Sequence, residues 1–466
     1  MELWYRSGIL FLSSIFLFAN VAFAQTASFR VGLATPGALI SPGERVSPLS
    51  LALSDGLLGF NPTTGLVKPG LAESWVADAS GVEWTFTLRS ARWSDGSPLT
   101  AADFVDSWKR AGVAATKLEA IDPRHLRVVF PQPLVDVSVL TSPQFLLFPD
   151  PAQPKKGCGP FVVESELPGK SLRLVKNIKF REASTIAFGR LDFLFALSQE
   201  EADALFRDGL VDWVPVGSGP AISQELDGKN AVVSPGWGSL FLRINTKVPR
   251  LADLAFRKTL HSSLDRVPLT QGGRGTLFLP TATLIPPATY RAPLPPIVPE
   301  VKAGPRLEAP LTILYPQGET YRFIAEGIAD QWKRRLKISV ETKAAPFAQV
   351  RQDRSSGAYE MVLSGWLGDF PDPATFLGVF RSDAGGNDMG WASAAFDQLL
   401  VRLSTETKEK ERTALLAKAV AQLTEEVPAI PLFSYVSVNR INLKKWSGWA
   451  PNPTDIHPWQ GIAPKK

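Results

Sequence analysis

Hydrophobic and polar positions alternate over several stretches of the chain, as they do in strands that bury one face. Residues 29–33 alternate in this way near the N-terminus, and residues 83–89 do so over a longer stretch. Residues 359–364 form a largely apolar run, which is typical of a strand inside a sheet. The pattern therefore predicts strands that are dispersed along the chain.

Residues 320–336 carry large apolar side chains at every fourth position, the spacing of an amphipathic helix. Strand patterns at 311–315 and 338–342 flank this helix, and a strand–helix–strand succession predicts a parallel sheet. Residues 408–425 predict a second long helix, and residues 430–435 predict the strand that follows it.

Two shorter helices are predicted nearer the N-terminus. Leu49 to Leu58 has helical spacing and ends at Gly59. Thr100 is the predicted N-cap of the other helix, and Asp103, three residues later, completes a capping box. The mixture of strands and helices along the chain indicates an α/β protein.

Length and composition limit the possible classes of protein. A chain of 466 residues predicts two or three domains, and 45% hydrophobic with 20% charged residues is typical of a soluble globular protein. The net charge is +5, but lysine and arginine are dispersed along the chain. We therefore expect no nucleic-acid partner.

The first 24 residues have the pattern of a secretory signal. Arg6 precedes a short apolar run, and Ala22-Phe23-Ala24 has the small–any–small pattern of a cleavage site. We expect cleavage after Ala24, with no cysteine following it for lipid attachment. An uncleaved membrane anchor is the alternative interpretation, although the apolar run is short for a membrane span. The mature protein is expected to be soluble, monomeric and outside the cytoplasm, without insertion into a membrane.

The chain offers little material for catalysis or metal binding. Cys158 is the one cysteine, which excludes an internal disulfide and a cysteine-based metal site, and its setting between glycines favours a buried turn. His125, His261 and His457 are far apart in sequence, and no hydrolase or phosphate-binding motif is present. We therefore expect no enzyme activity, no cofactor and no metal.

The most informative stretch begins at Ser364 and contains Asp369 between Trp366 and Phe370. A carboxylate in an aromatic setting of low dielectric is a good receptor for a ligand ammonium group. The alternative is that Asp369 only caps the turn before Pro371. The local residues leave both interpretations open.

A series of motifs appears in a fixed order along the chain. PGLAESW, WTFTLR and ARWSDGSPLTAADFVDSWKR come first, followed by the segments 240–246, 255–266, 365–370 and 448–452. In this order they closely resemble the motifs of family 5 of the extracytoplasmic solute-binding proteins, which serve ABC importers of oligopeptides, dipeptides and nickel. The resemblance covers nearly all of the chain after residue 24.

The resemblance implies a fold and a domain organisation. The expected fold is α/β, the two-lobe periplasmic binding protein fold of the large peptide-binding type (class II), with a third subdomain inserted in lobe I. Lobe I is expected at 25–60, 158–235 and 436–466, and the inserted subdomain at 61–157. Lobe II is expected at 236–435. Such ligands usually occupy the cleft between two lobes.

The resemblance also implies a set of ligand-binding residues. Asp369 stands where peptide-binding members hold the ammonium group of the peptide. Gly365 and Leu367 are expected to offer their backbone to an extended peptide, because alternate residues of a strand face the same way. The other candidates are aromatic or amide side chains near this segment or in matching motifs: Trp237, Trp366, Phe370, Asn387, Trp391 and Tyr435.

The function that the resemblance implies is capture of an oligopeptide or dipeptide in the periplasm and its delivery to an inner-membrane ABC permease. The same fold with another small solute is the main alternative, for example a nickel chelate, an opine, an oligosaccharide or haem. A secreted hydrolase is the alternative from a different class.

Overall fold

The structure is a computed structural model that describes residues 27–34, 47–61, 66–134, 136–150, 152–153, 155–218, 231–270, 278–286, 307–370, 372–406 and 408–465. The predicted signal peptide, residues 1–24, lies outside these ranges.

The strands of the described residues are numbered in chain order. They are β1 (Ser28–Leu33), β2 (Asp55–Gly56), β3 (Leu58–Phe60), β4 (Val67–Pro69), β5 (Ala72–Ala77), β6 (Glu83–Leu88), β7 (Ala91–Arg92), β8 (Pro98–Leu99), β9 (Lys117–Asp122), β10 (His125–Val129), β11 (Leu146–Leu147), β12 (Phe161–Leu167), β13 (Ser171–Lys176), β14 (Arg190–Phe195), β15 (Trp213–Ser218), β16 (Ala231–Ile244), β17 (Phe278–Pro280), β18 (Leu311–Pro316), β19 (Val340–Ala345), β20 (Met361–Leu367), β21 (Ala429–Ile441), β22 (Trp446–Ser447) and β23 (Ala463–Pro464).

The α-helices are numbered in the same way. They are α1 (Pro48–Leu53), α2 (Ala101–Arg110), α3 (Gln199–Arg207), α4 (Pro249–Ala252), α5 (Leu254–Ser262), α6 (Glu319–Leu336), α7 (Phe347–Ser356), α8 (Ala374–Leu377), α9 (Ala394–Thr405) and α10 (Glu409–Glu426).

One large mixed sheet runs through the molecule. Among the described residues its strand order is β12-β13-β14-β1-β15-β21-β16-β20-β18-β19, with β17 also paired to β21. The strands from β12 to β15 belong to one lobe, called the first lobe, and β20, β18 and β19 belong to the second lobe. β16 and β21 are long antiparallel neighbours that pass from one lobe into the other.

The second lobe contains the predicted strand–helix–strand unit. β18 and β19 pair in parallel, and α6 connects them. The apolar stripe of α6 is buried, with Trp332 donating its indole N–H to the carbonyl of Leu260 at 3.1 Å. The bounds of α6 and α10 lie within one residue of those predicted, because both helices have clear amphipathic periods.

A smaller four-stranded sheet, β5-β6-β10-β9, forms the inserted subdomain together with α2. The capping box predicted for α2 is confirmed: Asp103 accepts a hydrogen bond from the backbone of Thr100 at 2.7 Å. The subdomain has its own apolar cluster, which includes Phe86, Trp108 and Cys158.

Cys158 lies where the inserted subdomain returns to the first lobe. Its thiol is buried and points to the carbonyl of Leu147 at 3.3 Å, and burial raises the pKa of the thiol. A Cβ at Gly159 would lie 2.5 Å from the backbone of Leu53 in the first lobe. Because the thiolate is disfavoured and the turn is tightly packed, Cys158 has the structural setting that was predicted.

The helix predicted at Leu49 to Leu58 is too long. The helix ends at Leu53, and β2 and β3 follow within the predicted span. Ser54 adopts an extended backbone, and Gly56 pairs with Leu146 of the inserted subdomain. Tertiary strand pairing therefore overrides the local helical spacing.

β16 carries an irregularity where it crosses between the lobes. Pro235 pairs with Val436 and Ser239 pairs with Ser434, so three residues of β16 lie opposite Tyr435 alone. Those three residues are Gly236, Trp237 and Gly238. A bulge of this kind bends the strand and increases its twist, here at the junction of the two lobes.

Within the described residues, every helix is too short or too polar to span a lipid bilayer.

Candidate functional site

β20 ends at the lobe junction, and its hydrogen-bonding pattern shows which backbone groups are available there. β16 pairs with β20 along its whole length, from Met361 to Leu367. Just beyond the two ends of this ladder, Gly368 donates to the carbonyl of Trp237 at 2.9 Å and Asn245 donates to the carbonyl of Glu360 at 2.8 Å. Bonded pairs alternate in an antiparallel ladder, so the even-numbered residues of β20 bond to β16.

The N–H and C=O groups of Gly365 and Leu367 therefore point to the other side of β20. On that side β18 pairs only with Met361 and Val362. Within the described ranges, no strand pairs with Gly365 or Leu367 there. This half of β20 is an open sheet edge, which can receive an added strand.

Tyr435 lies directly over this open half of β20. A Cβ built on Gly365 would lie 1.9 Å from the Tyr435 hydroxyl oxygen, and one built on Gly238 would lie 2.4 Å from the Tyr435 ring. A Cβ built on Gly236 would lie 3.0 Å from the Tyr435 carbonyl oxygen, a contact that is tight but less severe. The tyrosine is buried, so the three glycines form a cradle that no larger residue could replace without movement.

The segment from Gly368 to Thr375, called the Asp369 loop, follows β20; position 371 is outside the described residues. The backbone N–H of Asp369 donates to the Thr375 hydroxyl at 3.0 Å, and its carbonyl accepts from the Ser142 hydroxyl at 2.8 Å. The next carbonyl, of Phe370, accepts from the indole of Trp237 at 2.9 Å. The loop is therefore fixed through its backbone.

The side chain of Asp369 is exposed, which corrects the expectation of an apolar setting of low dielectric. Phe370 is buried in the core of the second lobe, and Trp366 is only partly buried against the same core. The reason is the period of two in a strand followed by a turn: consecutive residues face different sides, so the aromatic neighbours do not enclose the carboxylate. The structure thus combines a fixed backbone with an accessible acidic group.

Three of the aromatic candidates, Trp237, Trp366 and Phe370, lie at the Asp369 loop and pack in or against the apolar cluster of the second lobe. Trp237 packs against Phe376 with ring centroids 5.9 Å apart, and both rings belong to the apolar cluster that also contains Phe370. The indole N–H of Trp366 is buried without a partner among the described residues. The structure therefore brings Trp237, Trp366 and Phe370 to the Asp369 loop.

The structure does not bring Asn387 and Trp391 to the Asp369 loop. The amide of Asn387 donates to the carbonyl of Trp391 at 2.8 Å, and Asn387 borders a pocket with Asn245, just beyond the end of β16. The indole of Trp391 donates to Glu426 at 2.8 Å. β20 separates this end of the sheet from the Asp369 loop, and its seven residues span about 20 Å at about 3.3 Å per residue.

Asp388, which follows Asn387, forms ion pairs that stabilise the second lobe. Asp388 pairs with Arg243 at 3.0 Å and with Arg354 at 2.7 Å, and Arg243 is fully buried. Burial lowers the pKa of Arg243 to about 10, and Asp388 opposes that shift. The segment around Asn387 therefore closes the far end of the second lobe.

Sequence reasoning missed Thr375 within the Asp369 loop, and it missed Ser142 and Arg412, which contact the loop. Arg412 of α10 lies 2.8 Å from Asp372 in the loop and 3.0 Å from Asp136 in the inserted subdomain. In the sequence, Arg412 is one of several charged residues in the first turn of a helix, which is the pattern of a solvated face. Gly236 and Gly238 of the cradle are noticeable in the sequence, because they flank Trp237 on both sides.

Among the described residues, no group of three or more acidic, histidine or cysteine side chains is arranged to hold a metal ion. His261 and His457 are buried, and His125 contacts Asp122 at 2.7 Å. Burial and the neighbouring Arg266 lower the pKa of His261 to about 3, so its imidazole is neutral. Asp372 is paired with Arg412, which does not suit the carboxylate pair of a glycosidase.

Comparison with known proteins gives a family and several relatives. The model of the family "Bacterial extracellular solute-binding proteins, family 5 Middle" matches residues 67–388. The periplasmic murein peptide-binding protein MppA of Escherichia coli K12 is 25% identical, over 87% of this chain and 86% of that protein. The periplasmic oligopeptide-binding protein OppA of Salmonella typhimurium is 25% identical, over 86% of this chain and 85% of that protein.

A solved structure of MppA in an unliganded open form has the same fold. It superposes with a TM-score of 0.81 at 23% identity, over 95% of this chain and 98% of that one. The predicted two-lobe α/β fold is therefore confirmed.

Proposed function

The chain belongs to family 5 of the bacterial extracellular solute-binding proteins, and from this premise we propose that it captures a peptide in the cleft between its lobes. It then delivers the peptide to an ABC permease of the inner membrane. The proposal places the mature protein in the periplasm, as in the relatives whose names state that location.

The observation that carries the proposal is the combination of an open sheet edge with an acidic group just beyond it. Gly365 and Leu367 each direct an N–H and a C=O to the open side of β20. The exposed carboxylate of Asp369 follows two residues after Leu367. An extended peptide can use both features, with its ammonium at Asp369 and its backbone on β20.

From this geometry we infer the direction of the bound peptide. With the ammonium at Asp369, the peptide runs back along β20 from Leu367 to Gly365, antiparallel to the strand. Its first and third residues then pair with Leu367 and Gly365, since bonded positions recur every second residue. Pairing through the backbone accepts many side chains, so we infer broad sequence specificity.

We infer that the lobes close over the bound peptide. The exposure of Asp369 and the likeness to an unliganded open form support an open cleft in this structure. β16 and β21 connect the lobes, and the bulge at Gly236 to Gly238 provides a place for bending. Closure would remove water from Asp369 and strengthen its pairing with the ammonium.

The proposed domain limits are 25–60, 158–235 and 436–466 for lobe I, 61–157 for the inserted subdomain and 236–435 for lobe II. The apolar clusters support this division: one extends from Leu57 to Cys158, and two others lie between Trp237 and Tyr435. We propose Asp369, Gly365, Leu367, Trp366 and Tyr435 as ligand contacts. Trp237 and Phe370 support the loop in this proposal, while Asn387 and Trp391 stabilise the far end of lobe II.

Native mass spectrometry of the purified protein with a pool of di- to pentapeptides tests the proposal. The expected result is a set of peptide complexes with no hydrolysed products. Catalytic turnover of any peptide, or exclusive retention of a non-peptide solute such as a metal chelate or haem, would overturn the peptide assignment.

Calorimetry then tests the ammonium site. Asp369→Asn is expected to weaken peptide binding by about 2–3 kcal/mol, because a charge-assisted hydrogen bond is lost. Unfolding should change little, since the Asp369 carboxylate is exposed. Asp330→Asn, which removes an exposed carboxylate on α6, is the control and should leave affinity unchanged. Equal affinities of wild type and Asp369→Asn would exclude Asp369 from the site.

A further inference from the structure

The inserted subdomain contacts the second lobe through the segment between Gln132 and Ser142; position 135 of this segment is not among the described residues. Ser142 donates to the carbonyl of Asp369, and Val139 packs against the apolar clusters of both the subdomain and the second lobe. Gln132 bonds to Arg381 and Asp383 at the other end of the same contact. This contact is a second connection between the lobes, in addition to β16 and β21.

The subdomain is itself held firmly to the first lobe. β11 of the subdomain pairs with β2 of the first lobe, with Leu146 opposite Gly56 and Leu147 opposite Asp55. The backbone N–H of Leu71 in the subdomain donates to the carbonyl of Gly56 at 2.7 Å, and that of Gly70 donates to the carbonyl of Leu57 at 3.0 Å. Because the subdomain is fixed to the first lobe, its contact with the Asp369 loop links that loop to the first lobe.

Arg412 is the charged centre of this link. Its Nη2 atom lies 3.0 Å from Asp136 of the subdomain and 2.8 Å from Asp372 of the loop. Its Nη1 atom donates to the carbonyl of Leu403 at 2.8 Å, which anchors the guanidinium on the second lobe. One cation thus holds two carboxylates that would otherwise repel each other. Burial and the neighbouring Asp136 raise the pKa of Asp372, while Arg412 acts in the opposite direction.

Asp372 transmits this restraint to Asp369 through short contacts. Its backbone N–H donates to the carbonyl of Phe370 at 2.8 Å, and its carboxylate accepts from the N–H of Ala374 at 2.8 Å. The carbonyl of Asp372 accepts from the N–H of Thr375 at 3.1 Å, and the Thr375 hydroxyl holds the N–H of Asp369 at 3.0 Å. A shift of Asp372 would therefore shift the backbone of Asp369.

We propose that Arg412 is a positioning residue for ligand capture, which holds the Asp369 loop in place and ties that position to the inserted subdomain. The proposal rests on the proposed function, because it takes Asp369 as the receptor for the ligand ammonium. Arg412 does not touch the ligand in this arrangement. Its effect on binding passes through Asp372 and Asp369.

A positioning role and a purely structural role differ in their dependence on the ligand ammonium. Loss of a positioning residue weakens only ligands that pair with Asp369. Loss of a structural residue weakens all ligands alike. N-acetylation of a peptide removes the ammonium and leaves the backbone groups that pair with β20.

The experiment is a double-mutant cycle by calorimetry with Ala-Ala-Ala and N-acetyl-Ala-Ala-Ala as probes. Arg412→Gln is expected to weaken Ala-Ala-Ala about tenfold and the acetylated peptide less than twofold. In the Asp369→Asn background, Arg412→Gln is expected to add less than twofold. Arg381→Gln is the matched control, since Arg381 lies in the same contact but bonds to Gln132 and Asp383 instead of the loop.

Arg412→Lys keeps the positive charge but loses the second nitrogen, Nη1, that anchors the guanidinium to the carbonyl of Leu403. It is expected to weaken Ala-Ala-Ala by about threefold, and it replaces Arg412→Gln in the cycle if the glutamine variant does not fold.

Equal weakening of both probes, or independent effects in the double variant, would overturn the positioning role and leave the proposed function intact. If Asp369→Asn alone binds Ala-Ala-Ala as tightly as wild type, the ammonium site fails, and the role of Arg412 fails with it. The two failures are distinguishable because Asp369→Asn keeps Arg412.

Discussion

Replacement of Gly365 by alanine tests whether Tyr435 occupies the space above the open edge of β20. The new Cβ would lie 1.9 Å from the Tyr435 hydroxyl oxygen, 3.0 Å from the ring carbon that carries it and 3.2 Å from the carbonyl of Ser239. Carbon and oxygen atoms in ordinary contact are separated by about 3.5 Å. The hydroxyl must therefore move by more than about 1 Å.

The surroundings of Tyr435 leave little room for that movement. Gly238 and Gly236 lie against its ring and its backbone, and the side chain is 3% exposed. Overpacking of a tight core typically costs about 1–3 kcal/mol. Because one contact is so short, we expect Gly365→Ala to reduce the free energy of unfolding by about 3 kcal/mol.

A second substitution identifies the atom responsible. Tyr435→Phe removes the hydroxyl, after which the closest remaining contact is the ring carbon at 3.0 Å. In that background Gly365→Ala should cost about 1 kcal/mol, which gives a coupling of about 2 kcal/mol between the two positions. Urea denaturation without peptide measures all four variants.

Gly378→Ala is the matched control within the same lobe. Its Cβ would meet no atom within 4 Å, and its backbone is helical, so alanine should be neutral or slightly stabilising. If Gly365→Ala lowers the free energy of unfolding equally in the tyrosine and phenylalanine backgrounds, the hydroxyl of Tyr435 does not occupy the space above Gly365.

Two further predictions concern the second lobe. Asp388→Asn should destabilise the protein by about 3–5 kcal/mol in urea, because it leaves the fully buried Arg243 without its carboxylate partner; a loss as small as that of the exposed control Asp330→Asn would contradict this. His261→Leu should flatten the pH dependence of unfolding between about pH 6.5 and 3. The folded state holds the imidazole neutral with a pKa of about 3, whereas the unfolded chain takes up a proton near pH 6.5, so wild-type stability falls as pH falls through this window, by up to about 4–5 kcal/mol. An identical slope for wild type and His261→Leu in urea titrations would show that His261 is already protonated in the fold.

Local patterns in the sequence predicted the elements whose stability is local. The amphipathic period of α6 and the capping box of α2 depend on residues three or four positions apart, and both are present. β21 runs well past the predicted end at Tyr435, to Ile441. It is buried on both faces, so its sequence does not alternate and gives no signal for its end.

The residues of the candidate site were harder to predict than the helices and strands, because the site brings together residues that are distant along the chain. The order of motifs identified Asp369 and the strand before it, but it also suggested Asn387 and Trp391, which lie beyond the other end of β20. Arg412 could not be found from its neighbours in sequence, because both of its acidic partners are distant along the chain.

The long strand β21 has a consequence for the order in which the protein can fold. It pairs with β15 in the first lobe, with β16 across the junction and with β17, so both lobes need it to complete their sheet. These partners precede it by about 150 residues or more along the chain, and such distant pairings make folding slow. Residues 429–441 are synthesised late, and until then β15 and β16 lack the strand that lies between them. The single sheet that joins the two lobes can therefore form only when synthesis of the chain is nearly complete.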